Sequence, residues 1–289
     1  APDVARARGA RVIPMGRNAG FAPAVNRGIR ESRGDWIAVL NTDVELVPDY
    51  FATLLASAQA KGAWFATGKI LDPGRTGVVD GAFDVVCRGG AAWRAGHGRA
   101  DGPRFSMERR IWSAPWTAAL FRAELFQRIG LLEESFESYL EDVDFGLRCA
   151  LAEYSGLYIP QAVAWHRGSA ALGRWSAETV RLIARNQVWL LARHYPGSSL
   201  RRNWRPVLAA HCLWGALALR HGAPAAWLHG QWQGWRGWRR ARAARVSWTE
   251  MRLDALLREN ERAIYELQAP DGLDRFWKMY FLLAGAGAR

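Results

Sequence analysis

The stretch that decides the fold is Trp36-Ile37-Ala38-Val39-Leu40-Asn41-Thr42-Asp43. Its first five residues form a continuous apolar run of strand length, which is typical of a central strand covered on both faces. In open α/β sheets, ligands bind beyond the carboxyl ends of such strands. Asn41 and Asp43 therefore stand where a ligand is expected, although Asn and Asp are also common residues in turns.

Helix-like and strand-like segments alternate on both sides of this strand. Proline near the first turn and glycine just past the end mark the two helices that flank it. The pattern predicts helices at about 23–33, 48–62, 122–129, 140–151 and 176–194, and further strands at 63–67, 157–159 and 162–165. Between residues 70 and 110 the periodicity is poor, and we expect loops with short irregular strands. This alternation predicts an open α/β sheet.

The charge balance points to an anionic partner. The chain has 39 Lys and Arg against 27 Asp and Glu, a net charge of +12. Nucleic acid, an acidic membrane surface and a phosphorylated substrate all fit such a charge. The three cysteines show no CxxC spacing, which argues against a disulfide framework or a cysteine zinc site and favours a reducing cytoplasmic setting.

The charge is concentrated late in the chain. Between Arg201 and Trp248 there are nine arginines, seven tryptophans and no acidic residue. Arginine binds lipid phosphates and tryptophan favours the headgroup region, so one interpretation is a peripheral membrane contact. The other is a helical appendage whose tryptophans pack on the rest of the protein. On a helical wheel, three tryptophans share one side: Trp232, Trp235 and Trp238. Arg239 and Arg242 interrupt that side, and the helix is weakened by Gly230, Gly234 and Gly237.

Acidic residues cluster at Glu141-Asp142-Val143-Asp144, the start of a predicted helix. The helix dipole stabilises such residues by roughly 0.3–1 kcal/mol each, and Asp144 with Arg148 has the spacing of an ordinary surface pair. A carboxylate near like charges also gains a raised pKa and can serve as a general base. His166 follows a predicted strand and has the imidazole that often binds metals.

Four motifs carry a family resemblance by their order: N-A-G-F-A-x-x-x-N-x-G from Asn18, N-T-D from Asn41, E-S-Y-L-E-D-V-D-F-G-L-R from Glu137 and A-W-H-R-G-S from Ala164. This order closely resembles the inverting family 2 nucleotide-sugar glycosyltransferases of the GT-A fold, with the rhamnosyltransferase-like bacterial branch nearest. The resemblance covers about residues 8–196. It implies an α/β, Rossmann-like domain at 1–200 with a mixed, mainly parallel sheet flanked by helices. A basic, Trp-rich helical region would follow at 201–289.

The resemblance also implies roles for individual residues. Asp142 matches the base that takes the proton of the acceptor hydroxyl, with Glu141 beside it. Asp43 and His166 match the ligands of Mg²⁺ or Mn²⁺. The remaining matches line the paths of the donor and of the sugars: Asn18, Gly20, Asn26, Asn41, Asp43, Trp116 and Thr117.

The implied function is transfer of a sugar from dTDP-rhamnose or a UDP-sugar, with inversion, to a glycan or lipid-linked acceptor in cell-surface polysaccharide synthesis. The setting would be the cytoplasm, peripherally at the inner face of the plasma membrane, without a nucleic-acid partner. The family's first strands have no counterpart before Ala1, so we expect an N-terminally truncated version. The alternatives are a catalytically impaired truncated homologue or a basic module that binds nucleic acid or membrane. A glycoside hydrolase also uses paired carboxylates, but it needs neither the metal-type aspartate nor the phosphate-suited loop.

Overall fold

A computed structural model of the chain describes residues 2–168, 173, 175–245 and 250–285. Ser169, the last residue of the fourth motif, and Trp248 lie outside these ranges. The described chain has a central sheet flanked by helices, with further helices at its C-terminal end, so the predicted α/β class is confirmed.

The strands form one large sheet and one small hairpin. In chain order they are β1 Trp36–Leu40, β2 Val44–Leu46, β3 Phe65–Leu71, β4 Val78–Gly81, β5 Asp84–Val86, β6 Ala92–Arg94, β7 Arg99–Ala100, β8 Arg109–Ile111, β9 Ala118–Arg122 and β10 Gly156–His166. The main sheet has the order β1-β9-β3-β10-β2, with β4, β7 and β8 at its margins, and β5 pairs only with β6.

The main sheet is mixed, as expected. β3 and β10 pair in parallel, whereas β9 runs antiparallel to both of its neighbours, β1 and β3. β2, β8 and β4 also pair antiparallel, so the parallel share of the described sheet is smaller than the sequence suggested. The reason is that β4 and β8 come from the segment of poor periodicity and β9 from the run before the acidic motif. None of these three strands follows a helical crossover.

Eleven helices are described around these strands. They are α1 Pro2–Ala7, α2 Phe21–Glu31, α3 Tyr50–Ala60, α4 Ala123–Ile129, α5 Glu141–Leu151, α6 Ala177–His194, α7 Gly197–Arg202, α8 Trp204–Arg220, α9 Pro224–Ala243, α10 Glu250–Gln268 and α11 Arg275–Leu283. Ser176 caps α6 because its hydroxyl oxygen accepts a hydrogen bond from the Thr179 amide at 3.1 Å.

The two strands predicted at 157–159 and 162–165 form a single strand, β10. Its pairing with β3 shifts register between Ile159 and Val163, around Pro160. Proline cannot donate a ladder hydrogen bond, so the strand is interrupted there without ending. β10 then continues to His166 and delivers that residue to the edge of the sheet.

The C-terminal helices share the core of the sheet. Ile264 of α10 and Trp277 and Tyr280 of α11 lie in the same buried apolar cluster as Phe121 and Tyr158 of the strands. Part of the C-terminal region is therefore packed on the sheet-bearing part of the chain.

Glycines bring α9 close to α6. A Cβ atom added at Gly230 would lie 2.3 Å from the Arg181 carbonyl oxygen, and one at Gly234 would lie 2.6 Å from Val188. At Gly237 the added atom would lie 2.6 Å from the Trp189 indole nitrogen. We expected these glycines to weaken the helix. Instead they form its packing face, because only glycine permits this approach.

Candidate active site

Asp43 and His166 lie side by side at the end of the sheet. β2 pairs antiparallel with β10 so that Val44 stands opposite His166, and Asp43 immediately precedes β2. The His166 Nε2 atom lies 3.4 Å from the Asp43 Oδ1 atom. Residues 123 positions apart in the chain are thus brought together by one strand pairing. Asn41 is half-buried just after β1, and its backbone amide donates to the Thr117 carbonyl at 2.9 Å.

Asp80 of β4 fixes the orientation of His166. Its Oδ2 atom lies 2.8 Å from His166 Nδ1, and its Oδ1 atom lies 3.2 Å from His97 Nδ1. Burial acts to raise the pKa of Asp80, but the hydrogen bonds from the two histidines and the charge of Arg94 hold that pKa well below its ordinary value. Because the ionised Asp80 carboxylate contacts Nδ1 of His166, the other ring nitrogen, Nε2, faces Asp43.

This corner fits a divalent cation that is shared with a substrate. It offers a carboxylate oxygen and an imidazole nitrogen whose opposite ring atom is held by a second carboxylate, a common arrangement around protein-bound metals. The described residues contain no group of three or more His, Cys, Asp and Glu side chains able to hold a metal ion. Mg²⁺ is commonly bound by one or two carboxylates together with phosphate oxygens and water, so the further ligands would come from those sources.

The turn that precedes α5 is strained. Glu137, Tyr139 and Leu140 have φ angles of 61°, 69° and 66°, in the left-handed region that residues other than glycine seldom adopt. Such conformations persist only where surrounding structure enforces them. Leu140 is the residue before Glu141, so the turn determines how the acidic residues are presented.

A single side chain of α6 holds much of this turn. Asn186 is fully buried, and its Nδ2 atom lies 2.9, 2.9 and 2.7 Å from the carbonyl oxygens of Phe136, Ser138 and Tyr139. Its neighbour Arg185 donates to the Phe136 carbonyl at 2.9 Å and to the Glu137 carboxylate at 2.6 Å. Three carbonyls of this turn thus receive a hydrogen-bond partner from α6.

The glycine-bearing loop before α2 holds the other side of the turn. Gly20 has a φ of 89°, and a Cβ atom there would lie 2.8 Å from the Glu137 carbonyl oxygen. The amide of Ala22 donates to that same oxygen at 2.9 Å. Asn18 accepts a hydrogen bond from the Gly20 amide at 3.2 Å. Asn18 and Gly20 are therefore neighbours of the acidic turn.

Two residues expected to line the substrate paths are structural. Asn26 is buried, and its side-chain amide exchanges hydrogen bonds with the Leu132 backbone at 2.9 and 3.0 Å while also donating to Glu134 at 3.0 Å. Its polar atoms are thus committed to joining α2 to the segment before the turn. Trp116 is also buried, with its ring 5.1 Å from that of Phe145. Thr117 is buried as well, but its hydroxyl lies 3.4 Å from the Arg94 guanidinium.

Arg94 links Asp142 to the rest of the site. Its guanidinium lies 3.3 Å from the Asp142 carboxylate, 3.1 Å from that of Asp84 and 3.4 Å from the Thr117 hydroxyl. Cross-strand pairing in the β5–β6 hairpin sets Asp84 opposite Arg94. The charge of Arg94 also acts on Asp80, which contacts His166, so Arg94 connects Asp142 electrostatically with the Asp43–His166 corner.

The pKa of Asp142 is set by opposing influences. Burial and the charge of Asp84 raise it, Arg94 lowers it, and the result is about 6. Burial, followed by the charge of Asp142, raises the pKa of Glu141 well above its ordinary value. The Glu141 Oε2 atom is buried with no hydrogen-bond partner. Asp142 is therefore mostly ionised at neutral pH, while the raised pKa of Glu141 favours the neutral form of that carboxyl.

Asp144 lies in a different environment behind the same helix. It is fully buried and contacts Arg148 at 3.0 Å, Arg193 at 2.9 Å and His194 at 2.8 Å. Burial would raise the pKa of Asp144, but these three cationic or hydrogen-bonding partners hold it far below its ordinary value. The expected surface pair with Arg148 is wrong: the two residues belong to a buried cluster that joins α5 to α6.

Asp80, Arg94, Asp84 and Asn186 were not identified from the sequence. The first three lie on short strands in the segment of poor periodicity. The sequence does contain one signal for a pairing of Asp84 with Arg94: the two residues lie equally far on either side of Gly89, in a Gly-Gly turn. A hairpin closing there pairs an acid with a base.

Part of the chain resembles a known protein family. Residues 2–130 match the sequence profile "Glycosyl transferase family 2". An N-acetylglucosaminyl-diphospho-decaprenol L-rhamnosyltransferase of Mycobacterium tuberculosis is 28% identical over 232 residues, which cover 73% of this chain and 74% of that protein. An uncharacterized protein of Sinorhizobium fredii, y4gI, is 27% identical over 198 residues, and that match covers 65% of this chain and only 21% of the relative.

The fold has a counterpart among solved structures. The crystal structure of GalNAc-T7 with UDP, GalNAc and Mn²⁺ aligns with a TM-score of 0.54 at 13% identity. The alignment covers 81% of this chain and 47% of that protein. The match therefore supports the architecture of the chain, and the chain corresponds to about half of that larger protein.

Proposed function

The chain belongs to glycosyltransferase family 2 and is rhamnosyltransferase-like, and from this premise we propose that it transfers a sugar from a nucleotide-diphosphate sugar to an acceptor hydroxyl. The observation that carries the proposal is the continuity of the site. A carboxylate with the pKa of a general base, Asp142, lies 3.3 Å from Arg94, and the charge of Arg94 also acts on Asp80, which holds His166 of the Asp43–His166 corner. Group transfer needs both parts within the span of one substrate.

Asp142 is the proposed general base. With a pKa of about 6 it is ionised at neutral pH yet still basic enough to take a proton from an acceptor hydroxyl as that hydroxyl attacks. General-base assistance contributes about 10²–10⁴-fold to a rate. Burial and the charge of Asp142 raise the pKa of Glu141 beside it, which favours a neutral carboxyl that could donate a hydrogen bond.

Asp43 and His166 are the proposed ligands of a Mg²⁺ or Mn²⁺ ion, which when bound would neutralise charge developing on the departing diphosphate. Asp80 holds the imidazole of His166 by its Nδ1 atom, so that Nε2 is free to face the ion. Asn18 and Gly20 belong to a loop that opens α2, a position suited to phosphate groups. These residues bind and orient the donor in the proposed reaction.

The stereochemical outcome we propose is inversion. One base activates one acceptor hydroxyl, the hydroxyl displaces the diphosphate in a single step, and a single displacement inverts the anomeric carbon. The donor we propose is dTDP-rhamnose or a UDP-sugar. The name of the mycobacterial relative specifies an L-rhamnosyl group and a diphospho-decaprenol acceptor, which supports a lipid-linked glycan acceptor in polysaccharide synthesis.

The proposed place of action is the cytoplasmic face of the plasma membrane. Within the described residues, no helix combines the length and apolar character required to cross a bilayer. The basic, Trp-rich region from residue 201 supports a peripheral attachment, because arginine and tryptophan are the residues that bind lipid headgroups.

The proposal is tested by product mass after incubating the protein with a panel of nucleotide sugars and lipid-linked acceptors, with Mg²⁺, with Mn²⁺ and with a chelator. We expect transfer only with a metal ion. Asp43→Asn should lower the rate by about 100-fold or more, since even altering a residue that only supports a metal ligand costs about 10–100-fold. Asp49→Asn, an exposed carboxylate before α3, is the matched control and should keep the wild-type rate. Full turnover in the chelator, or by Asp43→Asn, would overturn the metal assignment.

A further inference from the structure

The outer face of the α8–α9 hairpin exposes an unusual amount of apolar surface. Six large side chains on it are 54–66% exposed: Trp204, Leu208, Leu219, Leu228, Trp232 and Trp235. On α9 the three exposed residues recur at helical spacing, and they lie opposite the glycines that pack against α6. On each of the two neighbouring helices the exposed apolar side chains thus share one side and are not scattered.

Arginines accompany the apolar side chains on this face. Arg236, Arg239 and Arg240 are exposed on α9, and the Arg236 guanidinium lies 5.2 Å from the centre of the Trp232 ring. On α8, Arg205 is exposed beside Trp204. In the structure the two residue types share the same solvent-facing side, because the opposite side of α9 is occupied by α6.

We propose that this outer face docks on an anionic lipid bilayer. Exposed tryptophans and leucines enter the headgroup region, and arginines around them bind lipid phosphates. The sequence from Arg201 to Trp248 contains no acidic residue, so two copies facing each other across this surface would bring like charges together. A nucleic-acid backbone would pair with the arginines and leave the six apolar side chains without a partner.

The position of the face suits the proposed reaction, on which its biological meaning rests. One side of α6 donates from Asn186 to the turn before Glu141, and another donates from Trp189 Nε1 to the Gly234 carbonyl of α9 at 3.1 Å. A single helix, α6, therefore lies between α9 and the acidic turn, and packed helix axes lie about 8–10 Å apart. A bilayer bound at α9 would hold a lipid-linked acceptor close to Asp142.

The test is flotation of the whole protein with vesicles of phosphatidylcholine, with and without phosphatidylglycerol. We expect binding to the anionic vesicles only. Arg236→Gln with Arg240→Gln should weaken it by about 25-fold at low salt, which corresponds to about 1 kcal/mol for each arginine. Arg258→Gln with Arg262→Gln, the same charge change at exposed positions of α10, is the matched control and should bind like wild type.

A second variant tests the apolar contribution. Trp232→Ala with Trp235→Ala should reduce binding at high salt as well, because burial of apolar surface is not screened by ions. Both side chains are exposed, so the unfolding temperature should stay near that of wild type. Equal flotation with neutral vesicles, wild-type binding by these variants, or conversion of a dimer to a monomer by them would overturn the proposal. So would salt-sensitive DNA binding in the absence of vesicle binding.

Vesicle binding needs no turnover, so the two proposals fail separately. Loss of vesicle binding with retained transfer to a water-soluble acceptor analogue would overturn only the docking face. Specific vesicle binding by a protein that transfers no sugar would overturn only the proposed reaction.

Discussion

The two sides of the first turn of α5 show how differently one protein can treat neighbouring carboxylates. On one side, Asp142 faces the β5–β6 hairpin, where Asp84 opposes its charge and a single arginine supports it. On the other side, Asp144 is enclosed by two arginines and a histidine from α5 and α6. The pKa of the first carboxyl is raised and that of the second is lowered.

The number of charged partners, and not burial alone, therefore decides what each carboxylate can do. Both groups are removed from water, which raises the pKa of either one. Asp144 has enough cationic partners to outweigh that effect, so it is permanently ionised and serves as a structural link. Asp142 has one such partner and one opposing carboxylate, so it stays near the protonation equilibrium that a base requires.

The largest expected effect comes from removing the base. Asp142→Asn keeps the shape of the side chain but cannot accept a proton, so the transfer rate should fall by about 10²–10⁴-fold. Donor affinity, measured by calorimetry, and the unfolding midpoint should stay close to wild type. Turnover within a few-fold of wild type would show that Asp142 is not the base.

The corresponding change on the other side should act on stability. Asp144→Asn leaves Arg148 and Arg193 buried with an uncharged partner, and breaking a buried pair in this way costs about 3–5 kcal/mol. The unfolding midpoint in urea should drop accordingly. Glu124→Gln is the matched control, because Glu124 and Arg128 form the same i,i+4 pair while half exposed, and such pairs contribute about 0.3–0.5 kcal/mol. Equal decreases in the unfolding midpoint for Asp144→Asn and Glu124→Gln would contradict a structural role for Asp144.

A smaller effect is expected from the clamp on the strained turn. Asn186→Ala removes the donor to three carbonyls, so the turn should relax and misplace Asp142. We expect kcat to fall by about tenfold, which corresponds to a displacement well below 1 Å. Asn203→Ala is the control, since Asn203 is equally buried and donates to a carbonyl at 3.0 Å far from the turn. Both variants should lower the unfolding midpoint. A fall in kcat per folded molecule in both, or in neither, would contradict a positioning role for Asn186.

Much of the architecture could be predicted from the sequence because it depends on local patterns. The strand at 36–40 and the helices that begin near 141 and 177 follow from apolar runs and capping residues. The approach of Asp43 to His166 follows from the rule that ligand-binding residues gather at strand ends. In these cases a short segment and a general rule contain the needed information.

The rest depends on long-range pairing that no local pattern specifies. Arg94 reaches Asp142 only because a short hairpin sets it opposite Asp84, and Asp80 reaches His166 across the sheet. Trp116 and Thr117 look alike as candidates in the sequence and both are buried, and only their contacts separate them: the Trp116 ring packs on Phe145, whereas the Thr117 hydroxyl lies by Arg94. The glycines of α9 were misinterpreted for the same reason, since their partner α6 lies about fifty residues away in the chain.

The central claim, that Asp142 is a base tuned between Asp84 and Arg94, is tested most directly by the pH dependence of kcat/KM. Activity requires ionised Asp142, so in wild type it should fall as the pH drops through about 6. Asp84→Asn removes the charge that raises this pKa, and the acid limb should move to lower pH by up to about one unit, or about 1.4 kcal/mol. Arg94→Gln removes the charge that lowers it, and the limb should move to higher pH. A wild-type limb near the ordinary aspartate value, or shifts of the two variants in the same direction, would contradict the assignment.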